Sequence, residues 1–369
     1  MPTRNRPERL GQTIEHLGRL TINTPAELVV ADNASDEPVT LPEVLPNGIT
    51  CRVVRLERNA GAAARNAAVD AACADAEWIV MLDDDSHPVE RVEPFAATIE
   101  RLDAQPDTVA AVMADIHLPA LGCRESGGLP EVFVGCGVAI RRGAFVAAGG
   151  YDASFGYYVE EYDLAARFLS HGWSVAFEPA FCVEHHKISI GRDMDQILSR
   201  LVRNNGWVMQ RYAPLPLRRE MLREQRRRYR QIAEKERARA GYARGLVELR
   251  QTLHQQPRTP LLRATWDRFT GFGHVRAALN LAWRERPFAS AAIVERGKNA
   301  WAVERALAEI VHEAGVSITD PDSAEVLVVG TLSPGPMLDA LERWQRVGRR
   351  VVAPWRDAQP VDRRSARAA

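Results

Sequence analysis

The chain has 369 residues, room for two or three compact units, and its 46% apolar content is that of a globular protein with a core to bury. Lys plus Arg and Asp plus Glu number 48 each, and a formal net charge of zero argues against nucleic acid as a partner of the surface as a whole. The five cysteines (Cys51, Cys73, Cys123, Cys136, Cys182) include no CxxC pair, no apolar run reaches bilayer length and nothing reads as a signal peptide, so the expected compartment is the cytoplasm.

From the N-terminus, Ala26–Ala31 is a short apolar strand that ends in the polar turn Asp32-Asn33-Ala34-Ser35-Asp36. Cys51–Leu56 is a second strand, followed by Asn59-Ala60-Gly61 and an alanine-rich helix over Ala62–Cys73. Trp78–Leu82 is apolar at five successive positions, the pattern of a strand buried on both faces. Val132–Ile140 and Ser174–Phe177 are further strands, and a helix from about Tyr162 to His171 is stopped by Gly172. Strand and helix alternating in this way predict an α/β fold with a mostly parallel sheet and helices on both faces, with ligands at the carboxyl ends of the strands.

After about residue 210 the character changes. Residues 211–286 form a second region, in which Leu217–Arg250 is long, helical and rich in arginine. Residues 287–369 are a small α/β unit: strand Ala291–Val294, helix Ala300–Ala314, strand Glu325–Gly330, helix Pro336–Val347, strand Arg350–Ala353 and a loose polar tail from Asp357. It is similar to half of a Rossmann-like domain, but Gly297-Lys298-Asn299 is not a GxGxxG fingerprint, so no nicotinamide cofactor is expected.

Asp83-Asp84-Asp85 is the sharpest chemical feature. It follows the buried strand directly, and alternation along an extended chain puts Asp83 and Asp85 on one side. Two carboxylates so close favour a hard divalent cation, Mg²⁺ or Mn²⁺, over the alternative of a solvated acidic turn. Glu160 and Glu161 stand at the start of the helix that carries Leu164 and Phe168 on one face. One of them can take a proton from a hydroxyl, or both simply favour the helix dipole; this segment does not decide between the two. His185-His186 follows the apolar stretch Pro179–Val183; taken alone the pair reads as structural histidines, and beside a carboxylate metal site one imidazole can become an additional ligand. Asp32, Asn59, Gly61, Arg65 and Asn66 complete the polar residues near strand ends, with Arg65 suited to a phosphate.

In this order the segments resemble the family 2 glycosyltransferases, enzymes of the GT-A fold. The matching residues are Thr3-Arg4-Asn5-Arg6-Pro7 with Leu10, Val30-Ala31-Asp32-Asn33-Ala34-Ser35, and Arg58-Asn59-Ala60-Gly61 with Arg65-Asn66. They continue through Leu82-Asp83-Asp84-Asp85, Gly135–Arg142, Phe145 with Gly149-Gly150-Tyr151-Asp152, Glu160-Glu161-Tyr162-Asp163-Leu164 with Arg167, and His185. The resemblance covers residues 1–210 and is nearest to rhamnosyltransferase-like members. It implies transfer of a hexosyl or deoxyhexosyl group from a nucleotide-sugar donor to a glycan or lipid-linked acceptor hydroxyl, with inversion. Thr3, Asp32 and Arg65 would contact the nucleotide, with Asn59, Asp83 and Asp84 in the same donor-binding set. Asp83 and Asp85 would hold Mg²⁺ or Mn²⁺ with His185 completing the site, and Glu161, supported by Glu160, would be the base. Family members begin with an apolar strand before the Pro-Thr of this motif. Here Met1 immediately precedes Pro2-Thr3, so the expectation is a start further upstream or a sheet short of a strand at its middle.

Two other classes compete. A haloacid-dehalogenase-like phosphatase also carries DxD after a strand, with Asp83 as nucleophile and Asp85 as acid, but there the motif follows the first strand. A non-catalytic sugar-nucleotide-binding protein would keep the fold without turnover. The basic segment 217–250 is either a solvated helix or a peripheral contact with anionic lipid at the inner face of the membrane.

Overall fold

The structure, a computed structural model, describes residues 1–91, 93–187 and 193–355; the tail expected from Asp357 lies outside them. The chain forms two compact units, Met1–Gly122 with Val132–Trp266, and Cys123–Glu131 with Asp267 onward.

The first unit opens with a parallel sheet in the order β1 (Pro2–Thr3), β2 (Glu27–Asp32), β3 (Thr50–Arg55). The main chain of Met1 continues the first pairing: its α-amino group donates to Val29 O at 2.8 Å, and burial pushes that group's pKa down to about 5. Between the first two strands, α1 (Pro7–Leu17) begins at a proline whose fixed φ suits a first helical turn, and it buries Leu10, Thr13 and Leu17. α2 (Ala64–Ala71) is entered through a single 3₁₀ turn, Gly61–Ala63, so the helix expected over Ala62–Cys73 is tighter at its start and shorter.

The second sheet contains β4 (Trp78–Met81), β5 (Ser86–Pro88) and, after α3 (Phe95–Asp103), the ten-residue β6 (Val109–Leu118). β7 (Cys123–Arg124) lies in the inserted segment of the second unit. The first unit resumes with β8 (Val138–Arg141), α4 (Arg142–Ala147), α5 (Glu160–Ser170) and β9 (Ser174–His185). The strand order is β4-β8-β6-β9-β5, parallel only between β6 and β9. The sheet is therefore mixed where a mostly parallel one was expected. A parallel pair needs a long crossover, and β6 and β9 have α4 and α5 between them. β4 lies at the edge of this order, and Trp78, Ile79 and Val80 are half-buried, not covered on both faces. Of the strand expected over Val132–Ile140 only the end is extended; the expected Ser174–Phe177 continues to His185. Leu28, Val30, Val112, Ile116, Phe181 and Val183 form the core beneath both sheets.

Three helices complete this unit: α6 (Met194–Tyr212), α7 (Arg218–Lys235) and α8 (Arg239–Thr252). The single helix expected over Leu217–Arg250 is a hairpin. Arg237 adopts φ +55° and the N–H of Ala238 reaches back to Ala233 O at 2.9 Å, which closes α7. Tyr229, Ala233 and Ala238 then pack on Leu198 and Val202 of α6. α8 approaches α6 so closely that a Cβ on Gly241 would stand 2.1 Å from Asp195 O, and one on Gly245 2.5 Å from Ser199 O. On α7, Arg219, Arg223, Arg226, Arg227 and Arg230 remain exposed.

α9 (Arg263–Phe269) leads into the second unit, which contains α10 (Phe272–Glu285), β10 (Ser290–Val294), α11 (Ala300–Ala314), β11 (Ser317–Ile318), β12 (Val326–Val329), α12 (Pro334–Arg346) and β13 (Val351–Val352). Its four strands are parallel in the order β11-β10-β12-β13, as the alternation of the sequence implied. The inserted segment is tied in by Arg124, which donates to Asp339 and Glu342 at 2.8 Å, and by Glu131, which accepts from Arg268 at 2.8 and 2.9 Å.

Candidate active site

The three aspartates occupy the turn from β4 to β5. The N–H of Asp83 donates to Ser86 Oγ and Thr13 Oγ1 donates to the carbonyl of Asp84, both at 2.8 Å, so the turn is pinned from two sides. The carboxylates then diverge. Asp83 pairs with Arg65, and Asp84 accepts from Thr3 Oγ1 at 2.7 Å and from Arg6. Asp85 accepts from Arg6 at 2.8 Å, and its other oxygen lies 3.2 Å from His185 Nε2. Burial opposes the charge on both Asp84 and Asp85. It lifts Asp84 to about 6, while His185 and Arg6 outweigh it at Asp85 and hold that carboxyl low.

His185 reaches this turn because β9 pairs with β5, with His185 opposite Ser86. Its Nδ1 lies 3.5 Å from Cys136 Sγ, and ligand atoms of Asp83, Cys136 and His185 all fall within 4.8 Å of one another. These three could hold a metal ion, and Asp85 stands behind the imidazole, where a carboxylate fixes the tautomer and orientation of a ligating histidine.

Glu160 and Glu161 begin α5. The two residues before them, Tyr158 and Val159, have φ of +71° and +77°, a region that a β-branched residue rarely enters. Asn204 on α6 holds that turn: its Nδ2 donates to the carbonyls of Phe155, Tyr157 and Tyr158 at 3.0, 3.1 and 2.7 Å. Glu161 Oε1 accepts from the N–H of Gly135 at 3.3 Å, and a Cβ on Gly135 would meet both that oxygen (3.1 Å) and Arg65 Nη2 (3.7 Å). Arg65 thus stands beside the base candidate and pairs with Asp83. Glu160 is 4% exposed and its Oε2 has no hydrogen-bond partner; Tyr151 Oη and Arg65 Nε nearby are equally buried and unpartnered. Burial first, and the charge of Glu161 second, push Glu160 far above the carboxylate range. Burial raises Glu161 too, against its own N–H, Arg65 and the N–H of Gly135. Both carboxyls are therefore held above the ordinary range, Glu160 the further of the two.

Asp32 and Asn59 make their own contacts apart from that cluster. Asp32 accepts from the N–H groups of Ser35 (2.9 Å) and Val39 (3.3 Å) and from Arg55 (2.9 Å). Asn59 Oδ1 accepts from the N–H of Gly61 at 2.8 Å, and Asn33 bridges Ala60 N–H and Gly61 O. Gly61, at φ +61°, has Gly156 O where a Cβ would be, 1.9 Å away.

Several contributors escaped the sequence reading. Arg6 and Cys136 lay inside quoted motifs without an assigned role, and only the fold shows what they face. Asn204 has no local signal at all.

The fold and the site define a GT-A-like α/β protein whose strand-end carboxylates, arginines and helix-start acids gather at one place. Residues 1–113 match the family described as Glycosyl transferase family 2. The match says nothing of the sugar, and the rhamnosyltransferase-like grouping finds no support in it. No curated protein matches the chain. Among solved structures it is similar to the mannosyltransferase PcManGT from Pyrobaculum calidifontis, in complex with GDP-Man and Mn²⁺, at 17% identity and a TM-score of 0.42, covering 85% of this chain and 86% of that one. It is also similar to S. aureus TarS 1–349 (14% identity, TM-score 0.46, 85% and 90% covered). A third is GalNAc-T7 with UDP, GalNAc and Mn²⁺ (17% identity, TM-score 0.42), where the likeness covers 63% of this chain and 53% of that one. No described helix is long and apolar enough to cross a membrane.

Proposed function

We propose that the protein transfers a hexosyl or deoxyhexosyl group from a nucleoside-diphosphate sugar to an acceptor hydroxyl with inversion, and that Glu161 is the base. The observation that carries this reading is the place of Arg65, whose guanidinium lies beside Glu161 at Gly135 and pairs with Asp83. A departing diphosphate needs positive charge and an incoming hydroxyl needs a proton acceptor, and both must face one carbon.

In the proposed reaction Glu161 takes the proton of the acceptor hydroxyl as that oxygen attacks the anomeric carbon. The bond to the diphosphate breaks on the opposite side, through an oxocarbenium-like state. Glu160, kept protonated beside it, adds no second charge. Arg65 and Arg6 are the cations closest to the aspartate turn and would turn toward phosphate. Asp83 and His185 fit a divalent ion, with Asp85 orienting the imidazole. One carboxylate and one imidazole beside phosphate oxygens suit Mn²⁺ better than Mg²⁺. When bound, such an ion neutralises charge on the leaving group. Thr3, Asp32, Asn59 and Asp84 complete the donor side.

The acceptor is proposed to be a glycan or lipid-linked hydroxyl. The exposed arginines of α7 at 219, 223, 226 and 230 recur at helical spacing on one face, which suits a lipid diphosphate or an anionic bilayer at the inner side of a membrane. The family match stands against the phosphatase alternative. Assaying transfer across nucleotide sugars with Mn²⁺ tests the whole reading. Turnover on a sugar acceptor is expected, and hydrolysis of phosphomonoesters with no sugar transfer would overturn it.

A further inference from the structure

Behind the aspartate turn lies a second group of metal-ligating side chains with no part in the reaction above. Along β9 the residues alternate: His185 faces Asp85 and Cys136, so Glu184 and His186 face the other way. Glu184 is the register partner of His87 on β5, which turns to that same side. The N–H of His186 donates to Asp85 O at 2.7 Å and fixes the strand end. His87 Nε2 and His186 Nε2 are 3.2 Å apart, and Glu184 Oε2 is 3.5 Å from His186 Nε2. Ligand atoms of all three lie within 4.8 Å of one another.

We propose that His87, Glu184 and His186 form a zinc site, distinct from the donor site, that braces the β5–β9 pair from behind. The tautomer supports this. His87 Nδ1 lies 3.1 Å from the carbonyl of Pro88, which can only accept, so the proton sits on Nδ1 and Nε2 presents its lone pair to the cluster. Spacing agrees as well. With zinc–nitrogen bonds of about 2.0–2.1 Å, two nitrogens of a tetrahedral ion stand roughly 3.3–3.4 Å apart. The second oxygen of Glu184 accepts from Arg91 at 2.9 Å, which orients the carboxylate as an outer partner does. His87 is fully buried and stacked at 4.0 Å on His16 of α1, so the ring cannot swing away. Two imidazoles and one carboxylate are a donor set that zinc takes with three protein ligands.

The test is Zn²⁺ alone, added to the chelator-treated full chain, with bound metal measured after dialysis and Co²⁺ substitution followed by visible absorption. The wild type should retain Zn²⁺ and give a four-coordinate Co²⁺ spectrum. His87→Gln/His186→Gln should weaken that binding by about a hundredfold or more, and Asp85→Asn should keep it. Should the double variant fold poorly, His186→Gln and Glu184→Gln, at half-exposed positions, must each show the same loss. No retained Zn²⁺ in the wild type, retention undiminished in these variants, or loss in Asp85→Asn alone would overturn the proposal. None of these readouts depends on sugar transfer.

Discussion

Two buried carboxyls lie at opposite ends of the first unit's logic. Asp32, at the carboxyl end of β2, is wholly buried and accepts from two backbone N–H groups and an arginine. Glu160, at the start of α5, is nearly as buried, yet one of its oxygens has no partner and its neighbour is another carboxyl. Burial opposes charge at both. At Asp32 the hydrogen bonds outweigh it and the pKa falls; at Glu160 nothing does and the pKa climbs. The first region is finished by the fold. The second is left incomplete, and it is held by the strained turn that Asn204 braces.

The contrast can be broken most directly at Glu161. Glu161→Gln keeps the shape but not the basicity, so turnover should fall about a hundredfold to ten-thousandfold while donor affinity hardly changes. A steady-state assay beside donor titration reads both, and unchanged turnover would leave the base elsewhere. Next in size is the brace. Asn204→Ala strips one donor from three carbonyls and should cost about 1–3 kcal/mol of stability by urea unfolding, with turnover reduced more than donor affinity.

The pH dependence should separate the two carboxyls by sign. Asp32 has a lowered folded pKa, so its stabilisation is complete above the unfolded value near pH 4 and is lost as pH falls through the folded one. Glu160 is the reverse. The folded state keeps a proton that the unfolded chain releases above about pH 4.3, so stability declines as pH rises from there, by up to about 1.4 kcal/mol per unit. Relative to wild type, Glu160→Gln should therefore gain stability between pH 5 and pH 8, and Asp32→Asn should not. Equal slopes in urea unfolding would remove the distinction. The smallest effect is expected on α7: Arg223→Gln with Arg230→Gln should shift stability by no more than about 0.5 kcal/mol yet weaken binding to anionic vesicles, and unaltered vesicle binding would return that face to plain solvation.

The difference also explains what could be read from residues alone. Strands β2 and β3 and, in the second unit, β10, α11, β12, α12 and β13 were legible, because continuous apolar runs and alternating helices announce parallel sheets; α10, the two-residue β11 and the inserted segment were not. β6, the strand beside both β8 and β9, carries Ala110, Ala111 and Ala114 with Asp115 and His117, and that composition is a weak strand signal although nearly every position is buried. The hairpin of α7 and α8 was hidden because a left-handed arginine, not a glycine, makes the break. At the site, Asp83, Asp85, His185 and Glu161 stood out as charged residues at element ends. How they pair did not, since Arg6, Cys136 and Asn204 reach them from distant parts of the chain.

The left-handed pair Tyr158–Val159 has a consequence for how this sequence can change. Because the two residues force an abrupt entry into α5, they fix which residues occupy its first two positions. A single insertion or deletion there would turn the acids by about 100° around the helix axis. Exchange of side chains at 160 or 161 leaves that geometry intact. Substitution at 160 or 161 therefore changes the chemistry without the geometry, whereas a change of length between Gly156 and Glu161 changes both.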